Sequence, residues 1–172
     1  MTQETPALLE QQGKQAFERG QFDQAADLFR RASLALTDKS AAAEMNNNVS
    51  VALLQAGKAR EALEAVLGTD EVFASLGDLK RQGMALGNQA AALEALGRTN
   101  EALAAYDRSA EILSRAGEGD LLAMVKKSAA AIRLKRGDVV QSALNMVGSV
   151  EAKSKPSLFE RILKFFLRFK TW

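Results

Sequence analysis

Side chains that usually carry out chemistry are scarce in this sequence. Its 172 residues include no cysteine and no histidine. Disulfides, thiol nucleophiles and most zinc or iron sites are therefore excluded, and so is the side chain that most often acts as a general base near neutral pH. Carboxylates and lysines remain as the candidates for acid–base work.

The acidic residues do not form a catalytic pattern. They are spread along the chain at positions that a helix exposes to solvent, for example Glu61, Glu64, Asp107 and Glu111. Solvation and pairing with cations one helical turn away explain such positions better than a catalytic pair does. The segment GKA at 57–59 lacks the glycine spacing and the hydroxyl of a phosphate-binding loop. The sequence therefore predicts that the protein is not an enzyme and has no cofactor, metal or small-molecule substrate.

A repeated pattern runs through residues 5–151. Glycines at 20, 57, 97 and 137 are spaced by about 40 residues, and each is followed by a small residue five positions on and a larger apolar residue nine positions on. Glycine tolerates the left-handed conformation that ends a helix. A small residue then lets the next helix cross closely, and the larger residue fills the space beside it. In the first repeat this pattern predicts that Phe29 is a core residue.

Apolar positions on both sides of each glycine follow helical spacing, and strand signals are missing. The pattern predicts an all-α fold of four helical hairpins over residues 6–37, 40–76, 79–116 and 119–151. The individual helices are expected near 6–19 and 22–37, 40–56 and 59–76, 79–96 and 99–116, and 119–136 and 138–151.

These repeats resemble the tetratricopeptide repeat family. The first hairpin, GKQAFERGQFDQAADLFRRA, carries the family's alternation of small and aromatic residues, and the third, ALGNQAAALEALGRTNEALAAYDRSAEIL, is nearly as close. The 40-residue spacing is similar to the longer-helix branch that includes kinesin light chain and the Leu-Gly-Asn repeat proteins. The resemblance implies a right-handed helical-hairpin solenoid of about four repeats.

The resemblance also implies a groove, lined by the first helix of each hairpin, that binds a peptide or a partner helix. In the longer-helix branch an asparagine on that helix often bonds the ligand backbone, and the matching positions here are Asn48 and Asn88. An amide can pair with a peptide group without reading its side chain. The alternative for both residues is a solvated or interhelical amide. Three lysines on the same helix faces are candidates for contacts with an acidic partner, namely Lys14, Lys127 and Lys135.

Charge divides the chain near Pro156. Residues 1–152 contain 17 Lys and Arg against 20 Asp and Glu, a net charge of −3, whereas residues 153–172 have a net charge of +5. Because the cations of the first part are dispersed, we expect no nucleic-acid binding. The segment 152–156 is the expected linker, and 157–172 is the expected C-terminal amphipathic helix.

This C-terminal helix has a basic face and a wide apolar face. The basic face includes Arg161, Lys164 and Arg168, and the apolar face includes Phe159, Ile162, Leu163, Phe166, Phe169 and Trp172. About 16 helical residues span roughly 24 Å, which is too short to cross a hydrocarbon core of about 30 Å. Three roles remain open: binding an anionic membrane surface, capping the repeats, or associating with a partner or a second copy of the chain.

The apolar face is wider than one capping contact needs, which favours the membrane surface. The sequence thus predicts a non-enzymatic interaction scaffold that binds a protein segment in its groove and is held at the inner membrane face by its C-terminal helix. The alternative is a soluble structural or regulatory oligomer whose C-terminal helix caps the solenoid or docks into a groove. The N-terminus lacks the features of a signal peptide, so the expected location is cytoplasmic.

Overall fold

The computed structural model describes residues 4–135 and Gly137, and these residues are all-α. The described part contains eight helices: α1 (Pro6–Glu18), α2 (Phe22–Ala35), α3 (Lys39–Gln55), α4 (Ala59–Val66), α5 (Thr69–Ser75), α6 (Leu79–Ala95), α7 (Thr99–Arg115) and α8 (Gly119–Lys135). The chain divides into two units inside α8, between Ala129 and Ala130. Within the first unit, α1–α7 pack mostly against their neighbours in the chain, as a series of helical hairpins does.

The predicted helix ends are confirmed before Gly20, Gly57 and Gly97. Gly20, Gly57, Gly97 and Gly137 all have positive φ, between 73° and 76°. At Gly57, for example, the amide of Lys58 donates to the Leu53 carbonyl at 2.9 Å, and the Gly57 amide donates to the Leu54 carbonyl at 3.0 Å. This pair of bonds satisfies the last carbonyls of the helix and turns the chain back into the next helix.

Aspartates begin the first helices of the second and third hairpins. The Asp38 carboxylate accepts a hydrogen bond from the Ala41 amide at 2.7 Å, and the Asp78 carboxylate accepts one from the Arg81 amide at 2.9 Å. The backbone bond from Arg81, with a second bond from its side chain, lowers the pKa of Asp78. Such caps satisfy amides that have no partner within the helix.

In the first three repeats, the small and large residues occupy the core positions that the pattern predicts, whereas the predicted helix 138–151 of the fourth repeat lies outside the described residues. Ala25, Ala62 and Ala102 are completely buried. Phe29 is 4% exposed, and its ring lies so close to α1 that a methyl group on Gly13 would come within 2.8 Å of it. The prediction that Phe29 is a core residue is confirmed.

The prediction of one continuous helix over 59–76 is wrong. The structure has two short helices there, because α4 ends at Val66 and Gly68 adopts φ 80° before α5 begins. The Thr69 hydroxyl donates to the Val66 carbonyl at 2.8 Å and bridges the break. The bend brings Phe73 of α5 into contact with α3 and α6, where it is 1% exposed. Burial of this aromatic side chain compensates for the lost helical hydrogen bonds.

Candidate functional site

An open pocket lies between the first helices of the first two hairpins. This α1–α3 pocket has a volume of about 200 Å³ and is lined by Lys14, Phe17, Glu18, Phe29, Asn48 and Val51. Phe29 from α2 lies beneath the two first helices, so the larger apolar residue of the repeat contributes to the pocket. Its lining is therefore apolar inside and polar at its edge.

The next junction between first helices is closed by polar contacts. At this α3–α6 seam, the Asn88 amide donates to the Asn47 side-chain oxygen at 3.0 Å, and the Asn47 amide donates to the Ala43 carbonyl at 2.9 Å. The Arg81 guanidinium also donates to the Glu44 carboxylate at 3.2 Å. The Asn47 side chain is buried, and leaving its amide without hydrogen bonds there would cost free energy. The hydrogen bonds with Asn88 and Ala43 satisfy both its donor and its acceptor.

A second and larger pocket lies between α6 and α8. This α6–α8 pocket has a volume of about 290 Å³. Met84 and Met124 flank it and are 41% and 64% exposed. Methionine adapts its shape to different apolar partners and is over-used at promiscuous binding surfaces. The remaining lining residues are Gly83, Gly87, Asn88, Ala91, Tyr106, Leu113, Leu121, Val125 and Ser128.

Tyr106 is a polar group at the wall of this pocket. Its hydroxyl donates to the Glu94 carboxylate at 2.9 Å and is hydrogen-bonded to Ser128. Burial, followed by the bond to Glu94, raises the pKa of Tyr106 to about 12. The phenol therefore stays protonated at neutral pH and acts here as a fixed hydrogen-bond donor rather than as a proton carrier.

The two predicted groove asparagines have different environments. Asn48 lies at the α1–α3 pocket, and its side chain makes no hydrogen bond with the described residues. Asn88 lines the α6–α8 pocket, but its side-chain amide donates one hydrogen bond to Asn47. The interhelical alternative therefore accounts for part of the Asn88 side chain, while Asn48 keeps its full hydrogen-bonding capacity.

Of the three candidate lysines, only Lys14 lines one of the two pockets. Lys14 lines the α1–α3 pocket and pairs with Glu10 at 2.5 Å, and this hydrogen bond raises the pKa of Lys14. Lys127 is exposed on α8 but does not line the α6–α8 pocket. Lys135 is exposed in the last turn of α8, within the second unit of the chain.

The predicted C-terminal site lies outside the described residues. This holds for the linker 152–156 and for the segment 157–172 with Phe159, Ile162, Leu163, Phe166, Phe169, Trp172, Arg161, Lys164 and Arg168. Within the described part, no helix combines the length and the apolar character needed to cross a membrane. No group of acidic side chains in residues 4–135 is arranged to hold a metal ion.

Sequence reasoning missed the methionines of the α6–α8 pocket. Met84 and Met124 are 40 residues apart and therefore occupy the same register of successive repeats, where the second hairpin has Glu44. A charged residue in one repeat indicates that its position is exposed. An apolar residue at the same position of another repeat therefore indicates an exposed apolar surface. Glu18, beside the α1–α3 pocket, was also missed, because an exposed glutamate on a helix has no distinctive sequence signal.

Comparison of the chain with models of known protein families found no match, and comparison with curated proteins found no significant similarity either. The site therefore has to be interpreted from its own geometry. That geometry includes the α1–α3 pocket, the α6–α8 pocket and the polar α3–α6 seam.

Proposed function

We propose that this protein is a non-enzymatic interaction scaffold of the tetratricopeptide type, with a right-handed stack of about four hairpins. Its first helices bind a protein segment. The observation that carries the proposal is the position of the two pockets, which both lie between first helices and both use the larger apolar residue of a second helix, Phe29 or Tyr106. This is the surface where repeats of the family bind their ligands.

The α6–α8 pocket is the main anchor in this proposal. Most interface energy comes from a few large side chains that fill well-formed pockets. The pocket is almost entirely apolar, and its two exposed methionines would lose water when a partner covers them. Removal of apolar surface from water contributes about 25 cal/mol per Å², so an apolar side chain from a partner is the natural occupant.

Affinity capture with paired variants tests this groove. The full chain is used as bait in three forms: wild type, Met84→Glu with Met124→Glu, and a control in which the exposed Leu34 and Leu76 become glutamate. All four positions are exposed apolar residues, so the helical signal should not change. We expect the wild type and the control to capture the same partner proteins. The methionine variant should capture at least tenfold less of them. Equal retention by all three baits contradicts the proposal.

The second half of the proposal concerns residues 157–172, which hold the scaffold at the inner face of the membrane. Each cation near an anionic leaflet contributes about 1 kcal/mol, and residues 153–172 carry a net charge of +5. The phenylalanines and Trp172 suit the boundary between headgroups and acyl chains. The location proposed is therefore cytoplasmic and peripheral.

Vesicle co-sedimentation tests the membrane interaction. The full chain should bind vesicles that contain anionic lipid, release partly at high salt, and lose binding when residues 153–172 are removed. Changing Arg161, Lys164 and Arg168 to Gln should weaken binding, and Phe166→Glu should nearly abolish it. If vesicles never retain the protein and Phe166→Glu instead lowers the melting temperature, the alternative of a capping or docking segment in a soluble oligomer replaces this half of the proposal.

A further inference from the structure

The α1–α3 pocket differs from the α6–α8 pocket in having charged groups at its edge. Its interior is formed by Phe17, Phe29 and Val51. An apolar cavity of about 150 Å³ is known to hold a benzene molecule. The α1–α3 pocket, at about 200 Å³, therefore has room for one aromatic or large aliphatic side chain.

One polar group at the pocket is free to meet a peptide backbone. The Asn48 side chain has no hydrogen bond with the described residues, although it lies beside an apolar surface. A side-chain amide can donate to a carbonyl and accept from an N–H of the same segment. Asn88, its counterpart in the next repeat, is already bonded to Asn47.

The pocket lining carries one acidic and one basic side chain, Glu18 and Lys14, and they differ in whether they have an ion-pair partner. Glu18 lines the pocket, is exposed and has no ion-pair partner in the described part of the chain. Lys14 is the cation of the lining, and it is ion-paired with Glu10 at 2.5 Å. An approaching cation therefore meets the unpaired Glu18, while Lys14 is already engaged.

We propose that the α1–α3 pocket is a specificity site for a basic protein segment, in which a large apolar side chain fills the pocket and a neighbouring Lys or Arg pairs with Glu18. Asn48 holds the backbone of that segment. This inference rests on the proposed function and adds the chemistry of the partner. Charge at the edge of an interface sets specificity and association rate more than total affinity, so Glu18 selects the partner while the apolar contact retains it.

Peptide display tests this chemistry without a known partner. Phage carrying random twelve-residue peptides are selected on the immobilised full chain, and the affinity of the most enriched peptides is measured by calorimetry. We expect enrichment of a large apolar residue next to Lys or Arg. Binding of these peptides should fall at least tenfold with Glu18→Lys and at least fivefold with Asn48→Ala, and it should weaken at high salt.

Glu111→Lys is the matched control, because it makes the same charge change on an exposed residue of α7 outside the pocket. It should leave peptide affinity unchanged. Selected peptides without a basic preference, or with equal affinity for wild type and Glu18→Lys, overturn the inference. If such peptides instead depend on Met84 and Met124, the groove proposal stands and only the basic specificity fails. If no peptide is enriched, the specificity site is rejected, and the affinity capture decides the groove proposal separately.

Discussion

The second hairpin (α3–α5, Lys39–Ser75) and the third hairpin (α6–α7, Leu79–Arg115) have the same repeat register but different details. The second helix of the third hairpin is continuous over 17 residues, and it packs tightly because Gly83 leaves space for Leu113. The second helix of the second hairpin breaks at Gly68, and the core is completed by Phe73 instead. The repeat register thus determines where helices turn, while single residues determine how each hairpin closes.

The same comparison explains why one junction is closed and another is open. Glu44 and Asn47 of α3 correspond to Met84 and Gly87 of α6, forty residues later. The polar pair accepts hydrogen bonds from Arg81 and Asn88 and closes the α3–α6 seam. Methionine and glycine at the corresponding positions make no such bonds, and the α6–α8 pocket remains. A binding site in a repeat protein can therefore arise where one repeat has apolar residues at the positions that form polar contacts in another repeat.

The largest effect should come from removing Phe73, which completes the core of the broken hairpin. Phe73→Ala should lower the free energy of unfolding by about 3–5 kcal/mol, because a fully buried aromatic side chain leaves a cavity. Urea denaturation measures the loss. Leu76→Ala, at an exposed position just after the same helix, is the control and should change stability by less than about 0.5 kcal/mol. Equal effects of the two variants would show that the bend does not build a core.

Two glycines of α6 should respond in opposite ways to the same substitution. A methyl group on Gly83 would come within 2.6 Å of the Leu113 side chain, whereas one on Gly87 would be 3.4 Å from the Ser109 hydroxyl. Overpacking costs about 1–3 kcal/mol, and alanine recovers up to about 1 kcal/mol of helix propensity. We expect Gly83→Ala to lose about 1–2 kcal/mol and Gly87→Ala to gain about 0.5–1 kcal/mol in thermal or urea melts. A gain at both sites would contradict the close helix crossing.

The free energy of unfolding should fall at alkaline pH because of Tyr106. The second hairpin has Val66 at the corresponding position, and this side chain does not titrate. Because the pKa of Tyr106 is raised from 10.0 to about 12 in the folded state, its contribution is fully present below pH 10 and is lost as pH rises to about 12. It is the only tyrosine in the chain, so tyrosinate absorbance reports it directly. Tyr106→Phe should remove this part of the alkaline denaturation profile, and a titration midpoint near 10 would disprove the buried hydrogen bond.

The smallest effect separates two serines that are equally buried. The Ser109 hydroxyl donates to the Gly83 carbonyl at 2.7 Å, but the Ser50 hydroxyl of the second hairpin has no partner among the described residues. Ser109→Ala should therefore cost about 1 kcal/mol, whereas Ser50→Ala should be neutral or slightly stabilising, because it removes an unsatisfied hydroxyl. Chemical denaturation of both variants makes the comparison, and a marked loss at Ser50 would point to a missing partner.

The regular part of this fold follows from local signals. Glycine readily adopts the positive φ that ends a helix. The turns at Gly20, Gly57 and Gly97 could therefore be predicted from the spacing of the glycines alone. The break after Val66 was missed, although Gly68 followed by a threonine and two acidic residues is a recognisable helix start. A single helix was predicted because the apolar spacing on either side of Gly68 is compatible with one continuous helix.

The sequence by itself determined the class of fold, the hairpin register and the core position of Phe29, because these depend on backbone preferences and on apolar spacing within one hairpin. It also supplied Asn48 and Asn88 as site candidates. Only the tertiary structure decided that Asn88 is bonded to Asn47, that Asn48 has no hydrogen bond within residues 4–135, and that the α6–α8 junction stays open. These outcomes join residues about forty positions apart, and no local propensity determines which side chains meet when two helices pack.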